Sequence, residues 1–104
     1  MKTLSVIIPA FNEERYISEL IQKVKLVQTE TLGYEKEIIV VDDGSNDKTA
    51  DLVKNFINVK LIRQKNKGKG AAVQTGVAQS KGDYIIVQDA DLEYNPEDYL
   101  PMLR

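Results

Sequence analysis

Four short apolar runs, each separated from the next by a helical pattern, constrain the fold of this chain most strongly. The runs are "LSVII" (4–8, ended by Pro9), "EIIVV" (37–41), "VKLIRQ" (59–64) and "YIIV" (84–87). Continuous apolar runs of this length are typical of strands buried on both faces, whereas the third run alternates and indicates a strand nearer an edge. Strands that alternate with helices predict a mainly parallel sheet covered by helices on both faces.

Helical periodicity fills the segments between these strands. We expect helices over about 13–28, capped by Asn12, over about 71–80, and from Pro96 onward. A further helix within "SNDKTADLVKNFI" is predicted to bury Ala50, Val53, Phe56 and Ile57. No repeat or linker interrupts the pattern, so residues 1–104 are predicted to form one α/β unit, a three-layer Rossmann-like fold. Right-handed crossovers in a doubly wound sheet then predict the strand order 3-2-1-4.

The composition excludes several kinds of chemistry. The 104 residues contain no histidine and no cysteine, which removes catalytic triads, disulfides and histidine- or thiolate-bound metals. Lys plus Arg number 14 and Asp plus Glu 16, a net charge of −2 that gives no support to nucleic-acid binding. The absence of cysteine, of a long apolar run and of a signal-peptide pattern predicts a cytoplasmic chain.

The segment "YIIVQDADLEYNPE" ends its strand with Asp89 and Asp91. Aspartate is common in turns, so one interpretation is a solvated loop. The other is an oxygen-ligand site for Mg²⁺ or Mn²⁺, to which Glu93 adds an oxygen. In the proposed sheet this strand end lies where the strand order reverses, which is where open α/β sheets bind ligands.

Polar residues also follow the first two strands. Asp42 and Asp43 either form a turn before a helix capped by Ser45 or Asn46, or place Asp43 against a nucleotide base or ribose while Asp42 stays structural. The segment 9–13 either forms a simple turn or presents Phe11 and Glu13 to a base-binding pocket.

The "NKGKGAA" segment matches neither a P-loop nor the dinucleotide fingerprint, because Val73 stands where a third glycine belongs. It is either a flexible basic surface loop or a loop that approaches a diphosphate. In the second interpretation lysine charge and the N-terminus of the next helix favour anions.

Four segments together, "SVIIPAFNEE", "IIVVDDGSNDKT", "GKGAAVQTG" and "GDYIIVQDADLEYNPED", resemble the family 2 inverting glycosyltransferases of GT-A fold. The match runs in order over almost the whole chain and is most similar to the dolichyl- and polyprenyl-phosphate mannose or glucose synthase branch. The resemblance implies a GDP- or UDP-sugar donor, a Mg²⁺ or Mn²⁺ cofactor, and transfer with inversion to an acceptor such as a polyprenyl or dolichyl phosphate or a cell-surface glycan.

The resemblance also implies a role for each matching residue. Asp89 and Asp91 would be the metal-assisted catalytic pair that holds the cation against the donor diphosphate, with Glu93 as a further ligand, although related synthases often have glutamine at that position. The nucleotide-sugar pocket would be formed by Pro9, Ala10, Phe11, Glu13, Val41, Asp43, Gly44, Lys67, Lys69, Asp89, Ala90 and Asp91.

The resemblance places an acceptor-binding half and any general base beyond Arg104. We therefore expect this chain to be a donor-binding half that binds donor without full catalysis, and whose full-length relatives act at the cytoplasmic face of a membrane. Surface left uncovered by a missing half invites self-association.

Two other functions fit the sequence less well. A sugar nucleotidyltransferase needs a loop rich in glycine and arginine after the first strand, and "PAFNEERY" has no glycine. A receiver-like regulatory module needs its acidic pair after the first strand, whereas these acids follow the second and fourth. A non-catalytic nucleotide-binding module remains open.

Overall fold

A computed structural model of the chain describes residues 1–90 of the 104, so the predicted helix from Pro96 lies outside the described residues. The sheet has four strands in the order β3-β2-β1-β4, and each neighbouring pair is parallel. The predicted α/β class and the strand order 3-2-1-4 are confirmed. The strands are β1 (Lys2–Ala10), β2 (Tyr34–Asp43), β3 (Val59–Gln64) and β4 (Tyr84–Val87).

Helices cover both faces of this sheet. They are α1 (Ile17–Leu26), α2 (Thr49–Lys54) and α3 (Lys69–Gln79), with a short 3-10 turn at Glu30–Leu32. Because side chains alternate along β1, its residues divide between two cores. One core joins Leu4, Val6 and Ile8 to α1 and Val53; the other joins Ile7, Ile39 and Val41 to Ala72 of α3.

Strand β1 continues through Pro9, where the sequence predicted its end. The carbonyl of Ile7 accepts a hydrogen bond from the N–H of Gln88, so the backbone groups of Ile7, and two residues later those of Pro9, face β4. Pairing with β4 ends at Ile7 and Val87. The missing N–H of Pro9 therefore removes no ladder hydrogen bond, and the strand tolerates the proline.

Two predicted helices are shorter than expected. Helix α1 begins at Ile17, and Asn12 is not its cap but has a left-handed backbone with φ 53°. Helix α2 ends at Lys54, before a second left-handed residue at Asn58 with φ 63°. The prediction that Ile57 is buried is wrong: its side chain is 76% exposed, because it lies beyond the helix.

Strand β4 is not buried on both faces, as its apolar run predicted. Tyr84, Ile85 and Val87 are between 42% and 47% exposed, since β4 is the edge strand of the described sheet and α3 packs on β1 and β2 instead. No helix within residues 1–90 combines the length and apolarity needed to cross a membrane.

Two glycines of α3 test how closely this helix packs on the sheet. A Cβ at Gly76 would overlap Ile7 Cγ2 and lie 3.3 Å from Val41 Cγ2, whereas a Cβ at Gly70 would meet nothing within 4 Å. We expect Gly76→Ala to lower the free energy of unfolding by about 1–3 kcal/mol through overpacking. Gly70→Ala should leave it unchanged or raise it by up to about 1 kcal/mol through helix propensity. Denaturation in urea measures both, and equal effects at the two positions would contradict the close packing.

Candidate functional site

A cleft of about 290 Å³ opens at the carboxyl ends of β1, β2 and β4. It lies beside β1, where the strand order reverses: β2 and β3 follow on one side of β1, and β4 lies on the other. This point of reversal is where open α/β sheets bind ligands. Its lining residues are Pro9, Ala10, Phe11, Glu13, Asp43, Lys69, Ala72, Asp89 and Ala90. All of these except Ala72 were predicted from the sequence as site residues.

Asp43, the last residue of β2, connects this cleft to the glycine loop, residues 65–68 between β3 and α3. Its carboxylate is only 3% exposed and accepts hydrogen bonds from Gln64 Nε2 at 2.8 Å, the Lys67 N–H at 2.8 Å and the Gly68 N–H at 2.9 Å. Burial raises the pKa of Asp43, but these hydrogen bonds outweigh it and hold the pKa below its ordinary value. The carboxylate thereby fixes where α3 begins.

The neighbouring Asp42 has a different environment. Its side chain is fully buried and pairs with Arg63, whose Nε lies 3.2 Å from Asp42 Oδ2. Its other oxygen accepts the Ser45 N–H at 3.3 Å. Asp42 thus holds β2 to β3 and to the following turn, while Asp43 faces the cleft.

Opposite charges meet at the mouth of the cleft. Lys69, the first residue of α3, forms an ion pair with Asp89, which follows β4 by two residues. Gly68 precedes the helix with φ 99°, a left-handed conformation that favours glycine. The cleft therefore contains an ammonium group of the kind that binds a diphosphate and a carboxylate of the kind that binds a metal cation.

The third wall of the cleft is the β1–α1 loop, which carries Phe11 and Glu13. Phe11 is 44% exposed, so its ring is open to a ligand. The loop is held by side chains of the segment 45–49, which is the β2–α2 loop with the first residue of α2: the N–H of Asn12 donates to Ser45 Oγ at 2.8 Å, and the N–H of Glu13 to Thr49 Oγ1 at 2.9 Å. Sequence reasoning treated Ser45 only as a helix cap and found no role for Thr49.

Among the predicted site residues within 1–90, three do not line the cleft. Val41 is fully buried between the sheet and α3. Gly44 turns the chain after β2 with φ 77°, and a Cβ there would come 2.7 Å from the Asn66 nitrogen. Lys67 contributes its backbone N–H to Asp43. Ala72 was missed, although its spacing of three residues from Lys69 places it on the same side of α3.

The predicted metal ligands are only partly within the described residues. Asp91 and Glu93 lie outside them, and residues 1–90 contain no group of three or more acidic side chains arranged to hold a metal ion. Asp89 supplies the hard oxygen donor that Mg²⁺ and Mn²⁺ prefer, and its charge already attracts the Lys69 ammonium. The donor type of this residue therefore fits the predicted cation.

Comparison with known proteins identifies the family. The model of the family "Glycosyl transferase family 2" matches residues 5–104. This chain belongs to glycosyl transferase family 2. The predicted family membership is thus confirmed.

Among its relatives are undecaprenyl-phosphate 4-deoxy-4-formamido-L-arabinose transferases of Pseudomonas aeruginosa (strain LESB58) and Pectobacterium atrosepticum. The first is 40% identical over 106 residues, 96% of this chain and 31% of the relative, and the second 40% identical over 111 residues, 99% and 33%.

Solved structures of the same fold contain nucleotides. S. aureus TarS 1-349 in complex with UDP-GlcNAc matches with a TM-score of 0.80 at 30% identity, covering 98% of this chain and 30% of that one. Glucosyl-3-phosphoglycerate synthase from Mycobacterium tuberculosis, in complex with Mn²⁺, UDP and phosphoglyceric acid, matches with a TM-score of 0.72 at 28% identity, covering 86% and 33%. This family 2 chain therefore spans about a third of the length of the proteins it matches.

The hydrogen bonds of Asp43 predict acid-sensitive stability. Because its pKa is lowered in the folded chain, its contribution is complete above the unfolded pKa of about 3.9 and is lost as pH falls through the folded value. We expect Asp43→Asn to lower the free energy of unfolding at pH 7 by about 1.5–3 kcal/mol. The difference from wild type should shrink below about pH 4. Asp51→Asn, an exposed change on α2, is the control, and a loss independent of pH would contradict the ionised role of Asp43.

Proposed function

We propose that this chain is the donor-binding part of a glycosyltransferase that uses a UDP-sugar and a divalent cation and transfers the sugar, with inversion, to a polyprenyl phosphate. The observation that carries this proposal is the cleft at the carboxyl ends of β1, β2 and β4, bordered by Asp43, Lys69 and Asp89. Family membership supplies the reaction class.

Uracil is the base that the neighbours favour. The solved structures of similar fold hold UDP and UDP-GlcNAc, so UDP is the better-supported of the two predicted nucleotides. In this proposal the base or ribose contacts Phe11 and Glu13, and the diphosphate lies toward Lys69 and Asp89. The cleft volume, about 290 Å³, is at the lower end of the range for ligand pockets, about 300–1,000 Å³.

Asp89 and Asp91, with Glu93 assisting, are the proposed ligands of Mg²⁺ or Mn²⁺. When bound, the cation neutralises negative charge on the donor diphosphate as the sugar leaves. Two features of the chain add to that stabilisation: the Lys69 ammonium and the N-terminus of the 11-residue helix α3, which begins at Lys69 in the lining of the cleft.

The acceptor is inferred from the relatives, which are named for undecaprenyl phosphate. An oxygen of the acceptor phosphate would form a bond to the anomeric carbon as the bond from that carbon to UDP breaks, which inverts the configuration. A phosphate is already anionic at neutral pH, so no strong base is needed. Whether the 104 residues bind the donor without turnover remains a prediction, as do a location in the cytoplasm, self-association, and the closer similarity to the mannose or glucose synthases.

Donor binding tests this proposal directly. Calorimetric titration of UDP into the 104-residue chain should show binding that strengthens with Mn²⁺. Asp89→Asn should weaken it about 10- to 100-fold, because a charge-assisted contact of about 1.5–3 kcal/mol is lost. Asp51→Asn applies the same chemical change on α2, away from the cleft, and should leave affinity unchanged.

The possible results separate the parts of the proposal. Mn²⁺-dependent binding that survives Asp89→Asn would contradict the metal role of Asp89. Tighter binding of GDP than of UDP would contradict the choice of base. No nucleotide binding in wild type, with or without Mn²⁺, would contradict donor binding by this chain.

A further inference from the structure

We propose that Thr49, together with Ser45, is a positioning residue for the nucleoside end of the cleft: the β2–α2 loop sets where Phe11 and Glu13 stand. This inference rests on the proposed function, because it assumes that the cleft binds a nucleotide. Neither Thr49 nor Ser45 lines the cleft, so both act through the β1–α1 loop.

Three consecutive backbone N–H groups of the β1–α1 loop bond to side chains of one distant segment. The N–H groups of residues 12, 13 and 14 donate to Ser45 Oγ at 2.8 Å, Thr49 Oγ1 at 2.9 Å and Asp47 Oδ2 at 3.3 Å, respectively. All three acceptors are side chains of one short segment, residues 45–49, that is more than 30 positions away in the sequence. A run of adjacent amides received by one segment fixes the path of the β1–α1 loop residue by residue.

The contacts are reciprocal. The N–H of Asn46 donates to Asn12 Oδ1 at 2.9 Å, and the N–H of Lys48 donates to Glu14 Oε2 at 3.2 Å. The two loops are therefore joined in both directions, each supplying side-chain acceptors for the backbone of the other. Movement of either loop would leave several backbone donors without these partners, which is unfavourable for each donor that stays buried.

The β1–α1 loop is held within itself only on its C-terminal side, where the Glu13 carbonyl accepts hydrogen bonds from the N–H groups of Tyr16 and Ile17. Helix α1 begins only at Ile17, so residues 12–14 are not inside a helix. Asn12 has φ 53°, a left-handed conformation that is uncommon outside glycine and tolerated by asparagine. The N–H groups of residues 12–14, in contrast, find their partners in the segment 45–49.

Thr49 is the best-defined of these partners. It is fully buried, and its hydroxyl donates to Asp47 Oδ1 at 2.5 Å. That bond orients the hydroxyl so that a lone pair faces the N–H of Glu13. Burial raises the pKa of Asp47, but bonds from the Thr49 hydroxyl and from the backbone of Thr49 and Glu14 outweigh it and keep the pKa below its ordinary value. Asp47 therefore stays an ionised acceptor at neutral pH.

The lining residues of the cleft belong to two groups of elements with different supports. Phe11 and Glu13 depend on the β2–α2 loop, whereas Lys69 and Asp89 belong to α3 and to the segment after β4. Loosening the first support should weaken contacts to the nucleoside and spare those to the diphosphate. A residue with only a structural role would not separate the two ligand parts in this way.

The experiment uses Thr49→Val in the 104-residue chain, a change that keeps the shape and removes the hydroxyl. Calorimetry with UDP and, separately, with inorganic pyrophosphate, both in the presence of Mn²⁺, measures the two ends. We expect the Kd for UDP to rise about 3- to 10-fold, the effect of one hydrogen bond, and the Kd for pyrophosphate to change less than about 2-fold. Thr49→Ser, which keeps the hydroxyl, should restore the affinity for UDP.

Thr29→Val is the matched control. Thr29 is also fully buried, and its hydroxyl donates to the Tyr34 carbonyl at 3.2 Å, at the opposite end of the sheet. It should lower stability without changing the Kd for UDP. Ser45→Ala, which removes the acceptor for Asn12, is the second variant and should repeat the split between ligands if Thr49→Val does not fold by circular dichroism.

The outcomes distinguish this inference from the proposed function on which it rests. Wild-type affinity for UDP in a folded Thr49→Val or Ser45→Ala chain would overturn the inference, as would an equal loss for UDP and pyrophosphate. A wild-type chain that binds neither ligand overturns the proposed function and the inference with it. Loss confined to UDP, with rescue by Thr49→Ser, supports the inference.

Discussion

The buried carboxylate of Asp43 is the interaction on which the geometry of the cleft depends. A charge with 3% exposure is stable only when donors surround it, and here the donors come from residues 64–68, including two backbone N–H groups. Meeting that requirement ties the glycine loop to the end of β2. Helix α3 starts directly after Gly68, so the same contacts set the position of Lys69 and of the helix N-terminus.

Parallel pairing supplies the frame for these contacts. The register of β1 with β2 runs from Lys2 opposite Tyr34 to Ala10 opposite Asp42, so both strands end at one edge and their following loops lie side by side. Side chains of the second loop then receive successive amides of the first. The shape of the cleft therefore depends on hydrogen bonds between the loops, and the sheet determines only where each loop begins.

Much of the fold was predictable because its signals are local. Apolar runs and helical periodicity are written in neighbouring residues, and they predicted the strand order and the bounds of β3. Where they failed, a longer-range contact had decided the outcome. Helix α1 starts at Ile17, after a loop whose successive amides bond to side chains more than 30 positions away, and β4 is exposed because α3 covers β1 and β2 instead.

The sequence by itself determined the α/β class, the edge of the sheet at which the candidate cleft opens, and the family, because each depends on patterns and motifs that adjacent residues encode. Only the tertiary structure decided which predicted site residues meet in the cleft: Val41 turns into the core beneath α3, while Lys69 reaches Asp89. It also decided that Thr49, 36 positions from Glu13, supports the cleft wall. Such contacts depend on the register of the strands and on which buried hydrogen-bond donors still need an acceptor. Neither can be predicted from a local sequence pattern.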